Sequence, residues 1–329
     1  MSSLNDTRTS KVLGALLGVH CGDSLGATFE FRTWSSILQQ YPDGLREIVG
    51  GGSFRWPAGH ATDDTDLTRA VLLAYLDKSK AQKSGNAEFD IAKAAAEHSL
   101  KWYEGDWPGR KAGRRPADIG GATEFGLRSF KESGDTRKSG AGMNQAGNGS
   151  LMRCIPTALF TSALEMRVKE SMAISEFTHD DPRCTVACAA YNEIVAAIIE
   201  GKTTQEAVKI GKSIAKDLDG EEVVDAIKVG ETLPLAKMAT EGPGKSGFTP
   251  SGYVLDSLKL SIAALLDPRS FEDVLVDVVR LGDDSDTNGA IAGGLLGARD
   301  GVESIPERWL EKLQFREEFE EVAEGILRM

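Results

Sequence analysis

The stretch Gly282–Gly289, GDDSDTNG, sets the carboxylates of Asp283, Asp284 and Asp286 beside the hydroxyl of Thr287 and the amide oxygen of Asn288, between two helical patterns. So much negative charge in so short a run repels itself unless a cation neutralises it, and hard divalent cations favour this oxygen set. An acidic helix N-terminus in solvent would use the same residue types. An EF-hand calcium loop is excluded. Asp284, Asp286, Asn288 and Gly289 match its early positions, but the closing position that needs a bidentate Glu is Leu295. Further ligands must come from elsewhere in the chain. Thr62, Asp63, Asp64, Thr65 and Asp66 form a second acidic and hydroxyl cluster before another apolar helix pattern, and the two clusters could share one metal site.

Other residues suited to chemistry are isolated. Glu30 lies between Phe29 and Phe31 at the end of an apolar run, where it is either an exposed loop residue or a placed carboxylate. Asp118, Ile119, Gly120 and Gly121 precede a helical stretch from Ala122 to Phe130, and glycines at a helix N-terminus let a backbone approach an anion. Gly147, Asn148, Gly149 and Ser150 close a glycine-bearing segment that is neither a Walker loop nor a dinucleotide fingerprint. Thr178, His179, Asp180, Asp181 and Pro182 read as a connecting turn.

The elements that must carry these residues are helical. Gly14, Gly18, Gly22 and Gly26 recur every four residues in the run from Val12 to Ala27, and Gly289, Gly293, Gly297 and Gly301 repeat the spacing after the late acidic stretch. Such stripes cost roughly 1 kcal/mol per glycine in a helix and are tolerable where another backbone packs closely, so both helices should be central. Asp6 to Ser10 offer N-cap candidates for the first. Helical patterns also cover 67–75, 92–102, 184–200, 204–216, 221–230, 253–266 and 270–281, with Glu193 alone breaking the apolar face of 184–200. Residues 35–61, rich in Gly and Pro, read as a long irregular segment. Strand patterns are scarce, so the chain is expected to be all-α, and no linker divides residues 1–329 into more than one domain.

The bulk properties agree. A chain of 329 residues, 41% hydrophobic, can bury a sizeable core. A net charge of -12 argues against a nucleic-acid backbone or an anionic membrane as the main partner, leaving nucleic acid only as a modified substrate. No apolar run approaches the ~18 residues needed to span a bilayer, and no basic-plus-apolar signal opens the sequence, so a cytoplasmic protein is expected. Cys21, Cys154, Cys184 and Cys188 form no CxxC pair and read as buried thiols. Nothing suggests an obligate interface, and a monomer is the default expectation.

Taken in order, GDSLGATFEF (22–31), TDDT (62–65), DIGGAT (118–123), GNGSLMR (147–153), TH (178–179), GDDSDTNGAIAGGLLGA (282–298) and IPERW (305–309) resemble the ADP-ribosylglycohydrolases, the family that includes dinitrogenase-reductase-activating glycohydrolase. The resemblance runs almost end to end. It implies a compact, single-domain orthogonal bundle of helices and two magnesium or manganese ions held by Thr62, Asp63, Asp64, Asp284, Asp286 and Thr287. It also implies catalytic roles for Glu30 and Asp118, and contacts to ADP-ribose from Gly120, Gly121, Asn148, Gly149, Ser150 and His179. The implied reaction is hydrolysis of the glycosidic bond between ADP-ribose and an acceptor, such as a protein arginine or serine or a small molecule. The alternative is a member that binds ADP-ribose, or serves structurally, without turnover. Asp283 stands where the family more often has Gly, placing an extra carboxylate beside the implied metals.

Overall fold

The structure, a computed structural model, describes residues 2–85 and 88–329, with backbone alone for 2–6. Among these it contains sixteen α-helices and no strand. The first half comprises α1 (Ser2–Gly26), α2 (Trp34–Gln40), α3 (Asp63–Lys83), α4 (Ile91–Glu104), α5 (Gly121–Ser133), α6 (Pro156–Phe160), α7 (Leu164–Glu176) and α8 (Pro182–Ile199). The second half comprises α9 (Thr204–Asp217), α10 (Glu221–Gly230), α11 (Leu235–Glu241), α12 (Val254–Leu266), α13 (Phe271–Arg280), α14 (Ser285–Asp300), α15 (Glu307–Leu310) and α16 (Arg316–Leu327).

The centre is the antiparallel pair α1 and α14. Their glycines face one another in register: a Cβ on Gly14, Gly18 or Gly22 would collide with the backbone of Gly297, Gly293 or Gly289, and one on Gly26 with that of Ser285. The two stripes are therefore a single contact, in which each helix presents its backbone to the other and no side chain intervenes. Every residue of α14 from Ser285 to Ala298 is buried. Helices α12 and α13 pack on α14, α3 and α16 on α1, and α8 on α7, α9 and α12.

Helix starts follow local chemistry. Thr33, Asp90 and Ser270 each accept a bond from the backbone N–H three residues on, and Thr203 with Glu206 forms a full capping box. Asp181 caps α8 through the N–H of Arg183, with Pro182 at the first helical position.

Several expectations need correction. Helix α2 occupies the start of the segment read as irregular from residue 35, because Thr33 caps it and Ile37 is buried. Helix α1 starts at Ser2, so the candidates from Thr7 to Ser10 lie inside it, and the Asp6 side chain falls outside the described residues. Helices α6, α7, α11, α15 and α16 were not expected. The buried face of α7 carries Arg167, Glu170, Ser171 and Ser175 beside Ile174, so it has no apolar stripe to detect. Glu193, the break in the apolar face of α8, lies opposite this face: Arg167 donates Nε and Nη2 to its two carboxylate oxygens, both at 2.7 Å. No helix among the described residues is long and apolar enough to cross a membrane.

Candidate active site

The two acidic clusters sit at the first turns of α3 and α14 and meet. Thr62 caps α3, accepting from Asp64 N–H and donating to Asp64 Oδ2 at 3.1 Å. From the other cluster, Thr287 Oγ1 lies 3.5 Å from the same Asp64 oxygen. Glu30, on the turn that follows α1, and Asp118, just before α5, join them: carboxylate oxygens of Glu30, Asp118 and Asp286 lie within 4.8 Å of one another. These residues border a cavity of about 350 Å³, which Asp63, Asp284 and Thr287 also line, a size usual for a small-molecule site.

Among the described residues no Lys or Arg forms a salt bridge with these carboxylates, although Arg153 lies near enough to Asp63 to feel its charge. Burial, reinforced by Asp118, Asp284 and Asp23, pushes the Glu30 carboxyl up to about 8. Burial and the Asp284 charge push Asp118 up to about 6. Asp63, Asp64 and Asp286 are raised well above the usual carboxylate range, first by burial and then by their acidic neighbours. Asp64 Oδ1, Glu30 Oε2 and Asp118 Oδ2 are buried atoms without a hydrogen-bond partner. Buried, unpaired carboxylate oxygens at such density are costly in a protein alone. The donor set, all oxygen and mostly anionic, fits a hard divalent cation.

The opposite wall carries backbone. Helix α5 opens onto the cavity at Gly120 and Gly121 with no side-chain cap. A Cβ on Gly121 would meet nothing within 4 Å, so no packing need of the protein explains that glycine. Gly149 is confined, with its Cβ position 3.0 Å from both His179 Cε1 and Thr123 Oγ1. Asn148 braces the acidic side, its Nδ2 donating to Asp284 Oδ2 at 2.7 Å and to Ser257 at 2.9 Å. His179 is buried and borders the cavity, its Nδ1 2.8 Å from Thr178 Oγ1. Burial and the Arg153 charge lower its imidazole to about 3, so it is neutral at physiological pH.

Ser150 does not reach this space: it is fully buried, and its hydroxyl accepts a bond from Ser175 at 2.8 Å. Asp283 is exposed at the cavity rim with φ 58°, a left-handed conformation that glycine adopts at no steric cost.

Three residues that do not line the cavity organise it: Asp23 and Arg153, which the sequence did not single out, and Asp66, which it had placed in the second acidic cluster. Asp23, buried in α1, accepts from the Thr62 N–H at 3.0 Å, the Thr65 N–H at 3.3 Å and the Thr65 hydroxyl, which ties the first turn of α3 to α1. Its signal was present as the one acid in the apolar run from Val12 to Ala27. Asp66 accepts the indole N–H groups of Trp102 and Trp107, each at 2.7 Å. Arg153 donates to Gly149 O at 2.9 Å, Ile174 O at 3.0 Å and Thr178 Oγ1 at 2.6 Å, fixing the loop and the turn that carry Gly149 and His179.

The ADP-ribosylglycohydrolase family model matches residues 4–329, and the chain belongs to that family. It is 32% identical over 315 residues to ADP-ribosyl-[dinitrogen reductase] glycohydrolase of Rhodospirillum rubrum, covering 94% of this chain and 92% of that protein. Identity to ADP-ribosylarginine hydrolase Tri1 of Pseudomonas putida (strain GB-1) is 29%, covering 95% and 76%. Human ADP-ribosylhydrolase ARH3 is 25% identical, covering 97% and 93%. A solved ADP-ribosylglycohydrolase-related protein complex superposes with a TM-score of 0.74 at 27% identity, covering 98% and 99%.

Proposed function

We propose that the protein hydrolyses the bond between ADP-ribose and a modified protein side chain, with arginine as the acceptor. The observation that carries this reading is the convergence of Glu30, Asp118 and Asp286 on one small cavity, with partnerless buried oxygens on the first two. The arginine acceptor is supported by relatives named as ADP-ribosylarginine hydrolases.

In this reading Thr62, Asp63, Asp64, Asp284, Asp286 and Thr287 hold two magnesium or manganese ions. When bound, these would supply Lewis-acid and templating chemistry at the ribose. The chain's own groups do the rest. Glu30, 4% exposed, moves a proton at the glycosidic nitrogen, and Asp118 orients the attacking water and stabilises the oxocarbenium-like carbon. The bond from the anomeric carbon to nitrogen breaks, water oxygen takes its place, and the water's proton ends on the released guanidine. The open N–H groups of α5 at Gly120 and Gly121, with Gly149, receive the diphosphate. Thr178 Oγ1 accepts from Arg153, so we assign its proton to the bond with His179 Nδ1, which leaves the His179 Nε2–H as a further donor to the cavity.

All groups named come from one copy of the chain. We read residues 1–329 as one working domain active as a monomer, and the four buried free cysteines suit a reducing, cytoplasmic setting. The test compares wild type with Glu30→Gln for ADP-ribose binding by calorimetry and for ADP-ribose release from arginine-linked and serine-linked peptides with manganese. Expected are equal binding by both proteins and release from the arginine-linked peptide by wild type alone. Wild type that binds ADP-ribose and releases it from neither peptide would instead make the protein a binding member of the family.

A further inference from the structure

We propose that a second cavity, behind the Asp63 and Asp118 carboxylates, receives the acceptor arginine, and that the basic loop at its rim selects protein substrates with acidic residues beside that arginine. The inference rests on the hydrolase reading above. This cavity measures about 260 Å³, and Asp63 and Asp118 line both it and the main one, so the two spaces lie on either side of these residues. Its lining adds Trp56, with Asp66 held by the Trp102 and Trp107 indoles and Arg110 lying 5.5 Å over the Trp102 ring.

An aromatic row connects the two cavities. Phe31, 68% exposed at the main cavity, lies edge-on to Phe54 at 6.3 Å; Phe54 lies 5.6 Å from Trp56, and Trp56 stacks on His60 at 4.7 Å. A planar cation entering along aromatic faces towards carboxylates gains on both counts, and a guanidinium is that cation. A serine hydroxyl would use neither feature.

The rim has the opposite sign. Arg110, Lys111, Arg114 and Arg115 line it, and no acid lies between Asp106 and Asp118, in a chain of net charge -12. The loop is braced: Arg110 donates to the carbonyls of Trp102 at 2.7 Å and Arg114 at 2.6 Å, and Gly113 N–H donates to Glu104 O at 2.7 Å. Arg115 is paired with Glu124 at 2.7 Å. Lys111 and Arg114 are exposed, and among the described residues their side chains have no partner. Held beside the entrance, they match carboxylates on the segment that presents the arginine, whereas the overall acidity of the protein opposes a nucleic-acid backbone.

The experiment uses peptides with one arginine-linked ADP-ribose flanked by Glu, Ala or Lys, and an ADP-ribosylated DNA end for comparison. Wild type should prefer Glu over Ala flanks by about tenfold in kcat/KM at low salt, and the preference should vanish at roughly 0.5 M salt. The double variant Lys111→Ala/Arg114→Ala should treat Glu and Ala flanks alike while keeping its Ala-flanked rate and its ADP-ribose affinity. Lys111→Glu/Arg114→Glu should favour Lys flanks. Trp56→Ala should raise KM for the Ala-flanked peptide without changing ADP-ribose affinity. Turnover of the Ala-flanked peptide with no response to flank or rim variant, an unchanged KM in Trp56→Ala, or sensitivity of the DNA substrate alone would each overturn the inference. Release from no peptide would overturn the hydrolase reading and this inference with it.

Discussion

The N–H of Phe31 donates to the carbonyl of Asp283 at 2.8 Å, and both residues hold left-handed backbone, with φ of 62° and 58°. Asp283 N–H returns a bond to Arg32 O at 2.9 Å, and Thr33 bridges Gly282. The turn carrying Glu30 is thereby fastened to the loop carrying Asp284 and Asp286. A bulky residue in this conformation costs ~1–2 kcal/mol, and such backbone persists where surrounding structure enforces it. Asp283→Gly should therefore raise stability by about 1 kcal/mol and leave turnover nearly unchanged, whereas Asp283→Val should lower the melting temperature. Thermal melts with steady-state rates decide this, and a stable, active Val variant would remove the strain argument.

Metal removal should abolish turnover and destabilise the fold with a definite pH dependence. Glu30 and Asp118 are raised to about 8 and about 6 in the folded chain, and burial also raises Asp63, Asp64 and Asp286 well above their usual range. The metal-free folded state then holds protons that the unfolded state releases near pH ~4, so its stability is full below that pH and declines as pH rises through the folded values. A bound cation replaces those protons, so the gap in melting temperature between manganese-loaded and chelated protein should widen from roughly pH 5 to pH 9. A gap that stays constant or narrows would count against these carboxylates as ligands.

Asp64→Ala and Asp286→Ala should each remove nearly all activity, and the double variant should be hardly worse. The two clusters meet at Asp64 Oδ2, which Thr287 approaches to 3.5 Å, and residues acting as one unit are strongly non-additive. Single-turnover rates that multiply independently across the cycle would separate the clusters into two sites.

Gly22→Ala and Gly325→Ala should act in opposite directions. A methyl at Gly22 meets the backbone of Gly289, so it should cost on the order of 3 kcal/mol or prevent folding, and should reduce activity by displacing the start of α14. Gly325 lies in α16 with nothing within 4 Å of its Cβ position, so alanine there should raise stability by roughly 0.5–1 kcal/mol. Chemical denaturation measures both, and a tolerated Gly22→Ala would mean that α1 and α14 can separate freely.

Much of this was readable in advance because the chemistry lies at helix starts, where acids and hydroxyls ahead of apolar runs are visible. Thr62 to Asp64 and Asp284 to Thr287 were found that way, and the glycine stripes marked the central pair without giving its register. Polar burial hid the rest. Periodicity cannot show a helix such as α7, whose inward face is Arg167 and Glu170, nor say that Glu193 is there to meet Arg167. Ser150 was implied as a ligand contact by the resemblance alone, and only the fold shows its hydroxyl turned towards Ser175. Helix α16 was the avoidable omission, since Phe319, Ala323 and Ile326 keep a helical spacing amid its glutamates.

The pairing of α1 with α14 also orders events during synthesis. Gly14 to Gly26 leave the ribosome long before Gly289 to Gly301, by on the order of tens of seconds at ~5–20 residues per second. Through that interval the small-residue face of α1 has no partner, and Asp23 and Glu30 stay apart from the late acidic loop. The carboxylate cluster is thus completed only when α14 supplies Asp284 and Asp286, with α15 and α16 still to follow.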